Sequence, residues 1–190
     1  MKTILISFCV FCCFYAFELN AQGKKNIKKY KVKSYREIVT ENKTEKQSTY
    51  TEVENIYTAD GLLSSEVEYT TAGKIKKKKY YTYDKTGNIV GEEAYNAEGK
   101  LKASIKSQYS GSGKKTEESR FDPDGKLVSK ELYIYNNLDE KIQEKQFNGD
   151  GKLIQKTIYE YDKRGLRILK KTFDENGKVL SSKKYEYTFH

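Results

Sequence analysis

Few residues of this chain could carry covalent chemistry, and those few are badly placed for it. Its one histidine, His190, is the last residue, so no Ser–His pairing or His-based metal spacing can be drawn elsewhere. The three cysteines, Cys9, Cys12 and Cys13, all fall within an apolar N-terminal stretch. Carboxylates occur as adjacent pairs, Glu92–Glu93 and Glu117–Glu118. On a strand, neighbours point to opposite faces, so neither pair forms the facing couple that glycoside hydrolysis requires. The odd-numbered members, Glu93 and Glu117, would share a face as partners for nearby lysines. "DPDG" (122–125) and "NGDG" (148–151) contain fragments of a calcium loop. Such a loop needs ligands at three or more spaced positions and a closing Glu, whereas turn formation alone accounts for Asp122 and Asp124. The expectation is a non-enzymatic protein with no catalytic residue, metal site or cofactor.

Two sets of residues could bind rather than react. Tyrosines recur in Tyr-x-Tyr pairs at Tyr81/Tyr83, Tyr133/Tyr135, Tyr159/Tyr161 and Tyr185/Tyr187, 26 or 52 residues apart. A row of aromatics can stack on sugar rings or form an interface; turned inward, the same row is core. The run "KKKK" at Lys76, Lys77, Lys78 and Lys79 could meet a polyanion. On a strand it splits between two faces, which also suits a solubilising role.

The elements that position these residues follow from a strict rhythm. An aromatic precedes each turn at Tyr57, Tyr69, Tyr83, Tyr95, Tyr109, Phe121, Tyr135, Phe147, Tyr161, Phe173 and Tyr187, with spacings alternating 12 and 14. Four residues after each of the first ten stands glycine, except where Asp139 replaces it. "DKTG", "DPDG", "DKRG" and "DENG" fit a type I turn followed by a left-handed residue, the three-residue hairpin loop. Segments between turns are rich in β-branched and aromatic residues and read as strands. The chain is therefore all-β, an antiparallel meander of about 11–12 strands built from 12/14-residue hairpin repeats. Loops of this length pair Phe121 with Leu127, and likewise Tyr69 with Ile75, Tyr95 with Leu101, Phe147 with Leu153 and Phe173 with Val179. At the alternate turns the partners run from Leu63 and Ile89 to Lys115, Lys141 and Arg167. Unequal strand lengths make the register slip in one sense, which tilts strands and predicts curling into a spiral, trough or barrel.

Parity predicts one face carrying all the turn aromatics. In the C-terminal half the even face would hold Val128, Leu132, Ile134, Ile142, Ile154, Ile158, Leu166, Ile168 and Leu180, so the core is expected to be thin and asymmetric, with the C-terminal half the more stable.

Residues 1–21 read as a secretory signal: Lys2, an apolar run from Thr3 to Phe17, and a small-residue exit at Ala21. The run falls short of the ~20 residues that span a bilayer. Segment 22–56 alternates without the glycine rhythm and reads as an irregular hairpin or cap, forming one domain with the repeat region 57–190. Net charge is +9, and the leader's single Lys and single Glu leave that unchanged on removal. Mean hydropathy of −0.86 would suit disorder, but 13% aromatic residues do not.

"YDKTGNIV", "YDKRGLRI", "FDENGKVL" and "FDPDGKLV" resemble the YD (Rhs-type) repeats of secreted bacterial proteins, over roughly residues 57–187. A weaker similarity is to MORN-like repeat antitoxin proteins. The YD resemblance implies an exported, β-rich protein: periplasmic, outer-membrane-associated or secreted. The period here is shorter than the YD repeat's, and no toxin domain follows. The expectation is a binding or scaffold module for a glycan, an acidic envelope polymer or another protein, with no specific nucleic-acid partner and no transmembrane span after the leader. Alternatives are a self-associating surface protein and, further off, a polysaccharide-active enzyme or toxin-immunity protein.

Overall fold

The computed structural model describes residues 21–43 and 46–190. The leader reading lies outside the described residues apart from Ala21, which begins helix α1 (Ala21–Lys29). Lys28 and Lys29 occupy its last turn, where cations complement the helix dipole. Reading 22–56 as a hairpin alone missed this helix. It packs over the first repeat turn, where a Cβ on Gly61 would lie 2.8 Å from the Cα of Lys28. With φ at +78°, Gly61 is thus required both by backbone conformation and by the close approach of α1.

Strands β1 (Ser34–Lys43) and β2 (Lys46–Tyr57) form the first hairpin. Next come β3 (Leu63–Tyr69), β4 (Ile75–Tyr83), β5 (Ile89–Asn96), β6 (Leu101–Tyr109) and β7 (Lys115–Phe121). The last five are β8 (Leu127–Tyr135), β9 (Lys141–Asn148), β10 (Leu153–Tyr161), β11 (Arg167–Asp174) and β12 (Val179–Lys184). All twelve lie in one antiparallel sheet in chain order. Every contact between elements joins consecutive strands, so β1 and β12 do not meet and the sheet stays open. The closed-barrel option is therefore excluded, leaving an open meander of the spiral or trough kind.

The turns form as their chemistry dictates. At "DPDG" the Asp122 N–H donates to the Lys126 carbonyl at 3.0 Å and the Gly125 N–H to the Asp122 carbonyl at 3.1 Å. Asp122 Oδ1 accepts from the backbone N–H groups of Asp124 and Lys126. Asp139 takes the glycine role at φ +63°. All the expected aromatic pairs form, Phe121 opposite Leu127 among them.

Parity, however, does not survive. Between β3 and β4 the register steps from Glu68↔Lys77 to Tyr69↔Ile75, skipping Lys76. The same one-residue bulge recurs at Ser64, Val90, Lys102, Thr116, Val128, Ile142, Ile154, Ile168 and Leu180. Each bulge inverts the alternation one residue into its strand and adds local twist. Directly paired residues share a face, so the pairings place Tyr57, Tyr83, Tyr109, Tyr135 and Tyr161 on one face, the tyrosine face. Tyr69, Tyr95, Phe121, Phe147 and Phe173 lie on the other. The aliphatics read as an even-face core do not make one. Val128, Ile134, Ile154, Ile168 and Leu180 are between 37% and 56% exposed. The bulge that carries most of them leaves no second layer to cover them. The buried residues are instead spread along the sheet and mostly polar: Asn55, Ser65, Lys79, Ser107, Ser119, Thr157 and Thr172, with Tyr57, Val67 and Tyr159.

Candidate functional site

All eight tyrosines singled out from sequence lie on the tyrosine face, in two rows. The outer row stands at the turns and is fixed by one repeated hydrogen bond. Tyr83, Tyr109, Tyr135, Tyr161 and Tyr187 each donate the hydroxyl to the carbonyl twenty residues back, at Leu63, Ile89, Lys115, Lys141 and Arg167, over 2.7–3.0 Å. This bond explains why these turns always carry tyrosine, whereas the opposite edge accepts phenylalanine. Tyr57 opens the same series, yet its buried hydroxyl has no hydrogen-bond partner.

The inner row, at 26-residue steps, is Asn55, Tyr81, Ser107, Tyr133, Tyr159 and Tyr185. Its rings are largely engaged from within. Lys141 Nζ sits 5.1 Å from the ring centres of both Tyr133 and Tyr159, and the Arg167 guanidinium covers Tyr159 at 4.7 Å. Tyr133 donates to Glu131 at 2.6 Å and Tyr159 to Glu144 at 3.0 Å. Burial, with nearby carboxylates, pushes the Tyr81, Tyr133 and Tyr159 hydroxyls far above their ordinary pKa. These three therefore stay neutral donors and serve as a spine for the sheet. Tyr185, just past β12, is half-buried and meets the Arg167 guanidinium, and its outer-row neighbour Tyr187 is 43% exposed.

The lysine run divides as strand geometry requires, and carboxylates meet three of its four members. Lys79, 7% exposed, lies between Glu66 at 3.5 Å and Glu92 at 4.0 Å. Lys77 and Lys76 reach Glu68 at 3.5 and 3.6 Å. The adjacent Glu pairs are split, but the bulges exchange their faces relative to the parity reading. Glu92 and Glu118 lie on the tyrosine face, Glu93 and Glu117 on the other. Each has a partner: Glu118 takes Lys115 at 2.7 Å, Glu117 takes Lys130 at 2.8 Å, and Glu93 accepts from Tyr95. Among the described residues no group of three His, Cys, Asp or Glu could hold a metal, and no helix is long and apolar enough to cross a membrane. A shallow cleft on the opposite face is lined by Arg36, Tyr50, Glu54, Tyr69 and Gly73. Its polar groups satisfy one another: Arg36 and Tyr69 both donate to Glu54, holding its carboxyl below the usual carboxylate range.

Sequence reasoning placed Arg167 opposite Tyr161 but missed Lys170 and Lys183. Arg167, Lys170 and Lys183 share the tyrosine face with Tyr159, Tyr161, Tyr185 and Tyr187. The missing signal was visible in hindsight as an absence of acid: once the bulges are placed, β10–β12 put only Asp174 on this face.

No family profile matches the chain, and no curated protein does. Solved structures that align with part of the chain include a protein of unknown function from Bacteroides fragilis NCTC 9343, at 17% identity and TM-score 0.46, over 58% of this chain and 92% of that one. A porin-like protein from Bacteroides uniformis ATCC 8492 aligns at 13% identity and TM-score 0.39, over 81% and 55% respectively. The TcdB2–TccC3 assembly aligns at 15% identity and TM-score 0.35, over 81% of this chain but 11% of that one.

Proposed function

We propose that this chain is an exported, non-enzymatic β-repeat binding module of the bacterial envelope. Its ligand would be a glycan or another envelope component, held at the C-terminal end of the tyrosine face. The observation that carries this reading is where the spine stops. Through β10 the inner tyrosines lie against lysines, an arginine or carboxylates of the sheet itself, whereas Tyr185 and Tyr187 follow β12 at the margin of the sheet, where Tyr187 is 43% exposed and Tyr185 meets the Arg167 guanidinium. Partly open tyrosines held by fixed backbone offer flat, amphipathic surface at low entropic cost. Glu66, Glu68, Glu92, Glu118, Glu131 and Glu144 of this face are engaged by a lysine or tyrosine and Asp174 by its own turn, an arrangement that favours binding over hydrolysis. Self-association through β12 fits less well, because Lys183 and Lys184 stand on that edge and lysines there oppose strand pairing.

The test is a binding screen of the full chain against neutral and acidic bacterial polysaccharides, at low and at high salt. Retained binding at high salt, weakened by Tyr185→Ala or Tyr187→Ala but not by Tyr95→Ala on the opposite face, is the expected result. No binding to any polymer, with concentration-dependent oligomers in sedimentation, would replace the module reading with the self-associating one.

A further inference from the structure

Along most of the tyrosine face the sheet neutralises its own cations. Glu66 stands directly opposite Lys79, Glu68 opposite Lys77, and Lys115 and Lys141 take Glu118 and Glu144 three residues on. The last two strands break this rule. Lys170 of β11 pairs directly with Lys183 of β12, like charge against like. Directly opposed like charges destabilise a sheet. Arg167, one turn of the pleat away, has a buried Nε with no partner. Beyond Glu144 the only acid the pairings place on this face is Asp174. Its carboxylate is committed to its own turn, accepting from the N–H groups of Asn176 and Lys178.

We infer that Lys170 and Lys183, with Arg167 behind them and the Tyr185 and Tyr187 rings beside them, form a subsite for an acidic sugar of a uronate- or sulfate-bearing glycan. The inference rests on the module reading above and names its ligand class. An anion between the two ammonium groups removes their mutual repulsion and supplies the counter-charge that the strand pattern elsewhere provides internally. The flanking tyrosines and the Ser181 hydroxyl suit a sugar ring, which has an apolar face and a polar rim. An anionic membrane fits less well, because the exposed aliphatics Ile154 and Leu180 are bulge residues that adjoin Leu153 and Val179 of the opposite face's register.

The experiment measures binding of the full chain to oligogalacturonate, to its methyl ester and to oligo-dT by calorimetry. Lys170→Gln/Lys183→Gln should weaken oligogalacturonate binding tenfold or more while leaving the melting temperature unchanged or raised, since the variant relieves repulsion. Lys100→Gln/Lys126→Gln, equal in charge but placed in exposed turns on the other edge, should change it less than twofold. Equal losses in both variants would overturn the subsite in favour of net charge. Oligo-dT bound as tightly as the glycan, and lost with the same residues, would overturn the sugar assignment. Equal affinity for the neutral methyl ester would overturn the acidic subsite and leave the module reading standing. Failure of every polymer would overturn both.

Discussion

Replacing Tyr83 by phenylalanine removes one member of the repeated hydroxyl–carbonyl series and nothing else. The ring stays, paired with Ile89, and the lost contact is the 2.7 Å bond to the Leu63 carbonyl. A net intramolecular hydrogen bond is worth about 0.5–1.5 kcal/mol, so Tyr83→Phe should cost about 1 kcal/mol. In a domain of this size that lowers the melting temperature by about 2–4 °C. Tyr57→Phe is the internal control. It occupies the same place in the rhythm, but its buried hydroxyl has no partner, so its removal should be neutral or stabilising. The members are two strands apart, roughly 10 Å at ordinary strand spacing, so their effects should nearly add. Phenylalanine at Tyr83, Tyr109, Tyr135, Tyr161 and Tyr187 together should then cost about 5 kcal/mol, comparable with the whole stability of a typical domain. Urea denaturation followed by circular dichroism would measure each variant. Equal costs for Tyr83→Phe and Tyr57→Phe would refute the claim that the hydroxyl bond selects tyrosine at this edge.

Other consequences are open to the same kind of measurement. Asp139 holds φ +63° where nine turns have glycine, so Asp139→Gly should stabilise by about 0.5–1 kcal/mol and Gly125→Ala should destabilise by about 1 kcal/mol or more in urea titrations. Lys79→Ala should cost about 2 kcal/mol or more, because Glu66 and Glu92 lose their buried counter-charge, while exposed Lys76→Ala should stay within about 0.5 kcal/mol. Hydrogen bonds from the Asn88 side chain and backbone, and from Thr86, hold the Asp84 carboxyl at about 2, below its ordinary 3.8. Its contribution to folding is therefore complete above about pH 4 and lost as pH falls through about 2. Carboxyl NMR titration should find that low value, and Asn88→Ala should raise it.

The turns and their register could be read from residue type, because Asp, Gly and the aromatic each have a stereochemical duty at a fixed offset. The faces could not. Each repeat bulge falls three residues after a turn glycine or Asp139, but the bulged residues range from Ser64 and Lys76 to Ile168, and a parity count that takes the glycine only as a turn marker runs straight through them. One trace was present. Every second turn aromatic is tyrosine without exception, while the alternate turns change to phenylalanine from Phe121 onward, as two rows with different duties require. The candidate site was half visible: Tyr185 and Tyr187 stood out by spacing, but their cationic neighbours Lys170 and Lys183 meet only through pairing. Helix α1 was missed because nine residues rich in lysine carry little apolar periodicity.

Contacts confined to consecutive strands also set how the molecule would yield to force. With its two ends at opposite margins of the sheet, tension applied through the termini loads the outermost ladders one bond after another. The sheet should then unzip strand by strand at low force, rather than shear as a block. Each strand released with its turn, 12 or 14 residues, would lengthen the tether by about 40–50 Å at full extension. A sheet built this way would release length in nearly even steps, one strand at a time, rather than in a single yield.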